Sequence, residues 1–204
     1  MENNAKRRGQ SSMNQSFEQS AQPQADRLFV ALEIPQDIKA TLSDLQSSFP
    51  GLRWTPTSNL HLTLRFIGLV QQSDVELIRQ SLRLVKYNAF HLVVAGLGLF
   101  RRKAGGILWA GVRQEEALLQ FKQQVDAVLR VSAGLHLEEA SFTPHLTLSR
   151  LKTTIPQALK ARVQEKAAEQ FGAFHATSFT LFRSILRPAG AIHEPVERYP
   201  MVVV

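Results

Sequence analysis

Apolar residues first gather in Arg27-Leu28-Phe29-Val30-Ala31-Leu32-Glu33-Ile34, closed by Pro35. A near-continuous run of this length predicts a strand buried on both faces. From Gln36 to Ser48 the period lengthens, and Ile38, Leu42 and Leu45 fall on one side of a predicted helix. His61-Leu62-Thr63-Leu64-Arg65-Phe66-Ile67-Gly68 alternates again and predicts a second strand ending at the glycine. Ser73 to Lys86 reads as a helix with Ser73 as N-cap, Glu76 as its capping-box partner, and Leu77, Ile78, Leu82 and Val85 along the apolar side. Phe90 to Phe100 is the next strand.

The second half follows the same order: a strand over 106–112, a helix over Glu115–Val131, and a strand over Phe142–Leu151. A helix over Pro156–Phe171, with Pro156 in its first turn, then leads to a closing strand over Phe174–Leu186. A last short strand is placed at Met201–Val204.

One phrase occurs twice. His61-Leu62-Thr63-Leu64 returns 84 residues later as His145-Leu146-Thr147-Leu148, and Ala89-Phe90-His91 returns at the same offset as Ala173-Phe174-His175. In a strand each His and its Thr share a face while the leucines take the other. The expected fold is therefore α+β: two pseudo-symmetric lobes, each an antiparallel sheet with helices packed outside, and the two HxTx strands lining a central cleft.

Residues 1–25 are rich in Gln, Ser and Asn and are expected to form a disordered tail. That leaves 26–204 as a single bilobal domain. The first 26 residues sum to zero charge, so the whole excess of +7 lies in the folded portion and suits an anionic partner such as RNA. With no cysteine, disulfides, thiolate metal sites and a cysteine nucleophile are excluded. Neither a membrane-length apolar run nor a secretory segment is visible, so a cytoplasmic protein, with no membrane partner and monomeric, is expected.

A polar pair repeated inside two apolar strands needs a reason, since each buried polar group costs about 1–3 kcal/mol unless satisfied. Two histidines could supply half of a tetrahedral metal shell, but neither motif is accompanied by Asp, Glu or a third His, and no HExxH occurs. A Gly-x-Ser-x-Gly elbow is also missing. Acid–base chemistry with no metal and no cofactor remains. With an ordinary pKa of about 6.5, one imidazole can accept a proton while the other donates one. Phosphodiester cleavage needs both steps, and the threonine hydroxyls can donate to the non-bridging oxygens.

The paired motifs resemble the two-histidine phosphoesterase superfamily, and the phrases around them look closest to its RNA 2′,3′-cyclic phosphodiesterase branch, once called 2′-5′ RNA ligase. The segments that carry the resemblance are 27–31, 59–68, 108–112, 142–150 and 179–182. It implies hydrolysis of a 2′,3′-cyclic phosphate to a 2′-phosphomonoester, with His61 as proton donor and His145 as proton acceptor. It also implies that Thr63, Thr147 and Arg150 bind phosphate. By strand parity Ser149, not Arg150, shares the face of His145 and Thr147, so the arginine reaches the site only if the strand ends or bulges. Arg65 has the right parity but no counterpart in the family pattern.

Phe29, Phe66 and Phe142 are candidates to stack on a nucleobase. The Arg101-Arg102-Lys103 run is either a solvated loop or a guide for an RNA backbone. His91 and His175 read as structural, and His136 and His193 as surface residues. Two further functions stay open: a phosphodiesterase on small cyclic nucleotides, and a non-catalytic nucleotide- or RNA-binding domain.

Overall fold

The computed structural model describes residues 25–103, 105–138, 141–188 and 190–203, so the expected tail lies outside the described residues save for Ala25. Among the described residues, eight strands and four α-helices run in the order β1(Ala25–Glu33), α1(Gln36–Asp44), β2(His61–Gln71), α2(Gln72–Leu82), β3(Phe90–Arg102), β4(Gly105–Val112), α3(Glu116–Val131), β5(His145–Leu151), α4(Gln157–Glu165), β6(Gln170–Ala176), β7(Ser178–Ile185) and β8(Ile192–Pro200). They make two four-stranded sheets, ordered β2-β1-β7-β8 and β5-β4-β3-β6, with every strand pair antiparallel. The expected α+β class and the two lobes hold.

The sheets correspond strand for strand, but each is completed by the other half of the chain. β3 follows the first motif and joins the second sheet, while β7 closes the first. The Ala-Phe-His copies are consequently not equivalent places in two lobes. They lie side by side in one sheet, with His91 directly opposite His175 and both exposed.

The apolar runs explain the core. In β1, Leu28, Val30 and Leu32 point to one face and Phe29 and Ala31 to the other, and all five are shut off from solvent. One continuous hydrophobic cluster joins both sheets through the helices. Phe121 of α3 lies 5.4 Å from Phe179 of β7 and 5.6 Å from Phe90 of β3, so this helix bridges the lobes.

Several boundaries differ from the sequence expectation. The first helix gives way to a 3-10 turn over Leu45–Ser48. α2 starts at Gln72 with Gln71 in the cap position and no side-chain cap, because the Ser73 hydroxyl bonds the Asp74 carboxylate instead, and it ends at Leu82. α4 stops at Glu165, and Gln170 and Phe171 belong to β6. The single closing strand is two strands, parted at Thr177, that serve different sheets. β8 has a sequence, Ile-His-Glu-Pro-Val-Glu-Arg-Tyr-Pro, without alternation, and was not expected. It is an edge strand whose Pro195 sits at a register shift, where a missing N–H is tolerated. In place of the strand expected at Met201–Val204, the described residues 201–203 contribute an isolated bridge from Val202 to Asn88, and Val204 lies outside the described residues.

Candidate active site

β2 and β5 are edge strands of their respective sheets, and they approach one another. Each is fastened by a loop from the other lobe. The Thr55 amide donates to the Leu148 carbonyl (2.7 Å) and the Ser149 hydroxyl to the Arg53 carbonyl (2.8 Å). From the opposite side, the Arg65 guanidinium donates to the Glu138 carbonyl (2.9 Å) and to both oxygens of Asp126 on α3, whose second oxygen also receives Lys122 at 2.5 Å. Burial alone would raise the Asp126 pKa, but hydrogen bonds from Arg65 and Lys122 hold it below the ordinary value.

Both motifs carry the same irregularity. Thr63 pairs with Ala31 and Arg65 with Val30, which leaves Leu64 extra; Thr147 pairs with Trp109 and Ser149 with Leu108, which leaves Leu148 extra. These are β-bulges, and each one reverses strand parity. The residue after the bulge, Arg65 or Ser149, turns inward and is buried, and the next, Phe66 or Arg150, returns to the face of the histidine and threonine. This corrects the parity reading twice: Arg65 is a structural tie to α3, and Arg150 joins the motif face.

The two imidazoles are held alike. Nδ1 of His61 is 2.8 Å from the Asn59 carbonyl oxygen, and Nδ1 of His145 is 2.8 Å from the Thr143 carbonyl oxygen. A carbonyl only accepts, so Nδ1 carries the hydrogen in each ring and Nε2 is left for chemistry. Each ring rests on a phenylalanine from an equivalent strand position: Phe182 lies 6.1 Å from His61, and Phe100 lies 4.9 Å from His145. Thr63 and Thr147 are half-buried, and among the described residues their hydroxyls have no hydrogen-bond partner.

The surroundings then diverge. His61 also packs on Phe29 at 4.9 Å and meets His193 of β8 edge-on at 5.1 Å. Burial, the neighbouring His193, and the charges of Lys39 and Arg150 hold the His61 pKa down to about 4, against the upward pull of the Asn59 carbonyl. Glu33, opposite His61 in the register, accepts from Thr180 and Arg198. On the other side Trp109 lies 6.4 Å from His145. Its ring crosses β3 at Gly98, where a Cβ would fall 2.0 Å from the indole, so only glycine lets the tryptophan lie there.

Of the three candidate stacking residues, Phe66 is 69% exposed and stands on the motif face. Phe29 is 2% exposed and forms the floor beneath His61, so it has no face left for a base. Phe142 is packed against the core with the Lys122 ammonium 5.5 Å above its ring, which occupies it as well. His193 is half-buried beside His61, not a surface residue; it, Phe100, Phe182 and Trp109 were missed as parts of the site. His136 is exposed, as expected.

Beyond Arg150, a recess of about 300 Å³ is lined by Arg102, Gly106, Ile107, Arg150, Leu151 and Lys152. Arg102 therefore contributes from the basic run. A larger recess of about 740 Å³, between Asp26, Leu69 and Arg183, contains neither histidine motif. No group of three or more His, Asp or Glu placed to hold a metal ion occurs among the described residues. No helix among them is long and apolar enough to cross a membrane.

Comparison with known proteins assigns this architecture. The family model described as LigT like Phosphoesterase matches residues 32–109 and 111–193, and the chain belongs to that family, within the two-histidine phosphoesterase superfamily. Among curated relatives, the RNA 2′,3′-cyclic phosphodiesterase of Archaeoglobus fulgidus is 31% identical over 173 residues, covering 82% of this chain and 96% of the relative. The protein of the same name from Methanocaldococcus jannaschii is 29% identical, covering 85% and 99%. The fold superimposes on E. coli LigT in apo form with a TM-score of 0.71 at 24% identity, covering 87% of this chain and 98% of that one.

Proposed function

We propose that this protein hydrolyses RNA 2′,3′-cyclic phosphodiester ends to 2′-phosphomonoesters, with His61 and His145 as an acid–base pair and no metal. The observation that supports it most is the matched presentation of the two rings, each with Nδ1 committed to a carbonyl two residues earlier and Nε2 free. The names of the A. fulgidus and M. jannaschii relatives point the same way.

In this reading the phosphate sits between the two motifs. The Thr63 and Thr147 hydroxyls donate to its non-bridging oxygens, and Arg150 offsets its charge. His145 takes a proton from water through Nε2 as the oxygen attacks phosphorus. His61 gives a proton to the ribose 3′ oxygen as that P–O bond breaks. In the free protein His61, with a pKa of about 4, is neutral at pH 7. The phosphodiester anion supplies the missing counter-charge, because an opposite charge within about 4–6 Å favours the protonated ring. Substrate binding thus loads the acid.

Phe66 is the one stacking candidate this reading retains, with the cationic recess at Arg102, Arg150 and Lys152 open to an RNA backbone. A reducing compartment such as the cytoplasm and a monomeric chain complete the proposal. The test is incubation of the purified protein with a short RNA bearing a 2′,3′-cyclic end in the presence of EDTA. Release of the 2′-phosphate end is expected. Turnover that disappears in EDTA and returns with zinc or magnesium would overturn the metal-free mechanism.

A further inference from the structure

We infer that His193 is a third imidazole of the site, donating its Nε2–H to an oxygen of the substrate phosphodiester beside His61. The inference rests on the phosphodiesterase reading above and adds a substrate contact to it.

Placement comes first. β8 pairs with β7 so that His193 lies opposite Ser184, and its ring stands perpendicular to that of His61 at 5.1 Å and to that of Phe29 at 5.0 Å. The charge of Arg150 reaches both His61 and His193 across the cleft, so the three groups share one electrostatic neighbourhood. An anion attracted by Arg150 and held at His61 therefore arrives next to His193.

The hydrogen-bonding state of the ring then follows from burial. Nδ1 of His193 is shut off from solvent and has no partner, in contrast to Nδ1 of His61 and His145. A proton there would be an orphaned buried N–H, which folded proteins avoid more strictly than an unused lone pair. Protonating both nitrogens would create the same orphan and add a buried charge; burial and Arg150 indeed hold the His193 pKa down. The single proton consequently sits on Nε2. That nitrogen is not among the buried unpartnered atoms and has no partner among the described residues, so it is a donor without an acceptor there. An oxygen of the phosphodiester is the acceptor that the site brings within reach.

Two measurements test this. In 15N spectra of histidine-labelled protein at pH 7, His193 should show protonated Nε2 and bare Nδ1, and the Nε2 signal should move when adenosine 2′-monophosphate is added. A proton on Nδ1, or an Nε2 signal indifferent to the nucleotide, would overturn the inference. In turnover of the cyclic-ended RNA, His193→Phe keeps an aromatic ring against Phe29 and removes the donor, so kcat/KM should fall about 10- to 100-fold. His193→Gln places an amide N–H near the position of Nε2 and should recover most of that loss. A Phe variant equal to wild type, or Gln and Phe variants equally impaired at unchanged Tm, would show that the ring only packs. If the wild-type protein leaves the cyclic end intact, the phosphodiesterase reading fails, and the nucleotide titration still decides the case of His193.

Discussion

The two HLTL segments differ least where their backbones are compared and most where their side chains are. Both carry one bulge after the threonine, both tie Nδ1 of the histidine to a carbonyl two residues back, and both rest that ring on a phenylalanine. Yet the inward residue after the bulge is Arg65 in one and Ser149 in the other, and the residue returning to the site is Phe66 in one and Arg150 in the other. Around them, His61 lies among Phe29, Phe182 and His193, while His145 has Phe100 and Trp109. A repeated scaffold thus fixes where the groups stand, and the substitutions at equivalent positions decide what each half offers: an exposed phenylalanine on one side facing an arginine on the other. Two such unlike halves suit one unsymmetrical ligand better than two identical ones.

The comparison is broken most severely at the imidazoles. His61→Ala and His145→Ala are each expected to lower kcat by at least about 10²-fold, and the double variant by less than the product, because residues that act together do not contribute independently. Fully multiplicative losses in the cyclic-end assay would mean that the two halves do not work on one phosphate.

Stability separates the positions after the bulges. Arg65→Ala leaves Asp126 buried with only Lys122 as a cationic partner and should cost about 3 kcal/mol in urea unfolding. Ser149→Ala at the equivalent place removes one hydrogen bond to the Arg53 carbonyl and should cost about 1 kcal/mol. Equal losses would sink the view that the first lobe depends on its charged tie to α3.

The threonines test the symmetry that remains. Thr63→Val and Thr147→Val keep shape and remove a donor, so each should weaken transition-state stabilisation by about 1–3 kcal/mol, read as kcat/KM. The dependence of kcat/KM on pH should match that of the wild type, because no imidazole is changed. A loss confined to one of them would place the phosphate against a single half.

Both motifs, both lobes and the order of the first ten elements were legible because alternation of His, Leu, Thr and Leu is a local signal. The bulges were not, since Leu64-Arg65 and Leu148-Ser149 read as continued alternation and the extra residue exists only relative to β1 and β4. That single missing fact misplaced Arg65 and cast doubt on Arg150. His193 was hidden for a related reason: nothing in Glu194-Pro195-Val196-Glu197 marks a strand, and its place beside His61 depends on β8 pairing with β7 across another register shift. Gly98 was the available clue to Trp109, because an indole can lie across a strand only where no side chain stands. The repeat at an offset of 84 misled at Ala-Phe-His, where identical residues are cross-strand neighbours instead of symmetry mates.

Acid stability gives a small effect that isolates the first half. His61 has a folded pKa of about 4 against an ordinary 6.5, set by burial, by His193 of β8, and by Lys39 of α1 and Arg150 of β5, with the Asn59 carbonyl opposing them and the apolar rings of Phe29 and Phe182 filling the remaining contacts. Between those two values the unfolded chain binds a proton that the native chain refuses, so stability rises with pH. The contribution is complete above about pH 6.5 and is lost as the pH falls toward about 4. Allowing for the partial exposure of the ring, the loss over that window is on the order of 1–2 kcal/mol. Urea midpoints measured from pH 7 down to pH 4 should show this slope in the wild type and a shallower one in His61→Gln, which has no ring to protonate in either state. A slope in His61→Gln equal to that of the wild type would show that burial, His193, Lys39 and Arg150 impose no burden on a proton at His61.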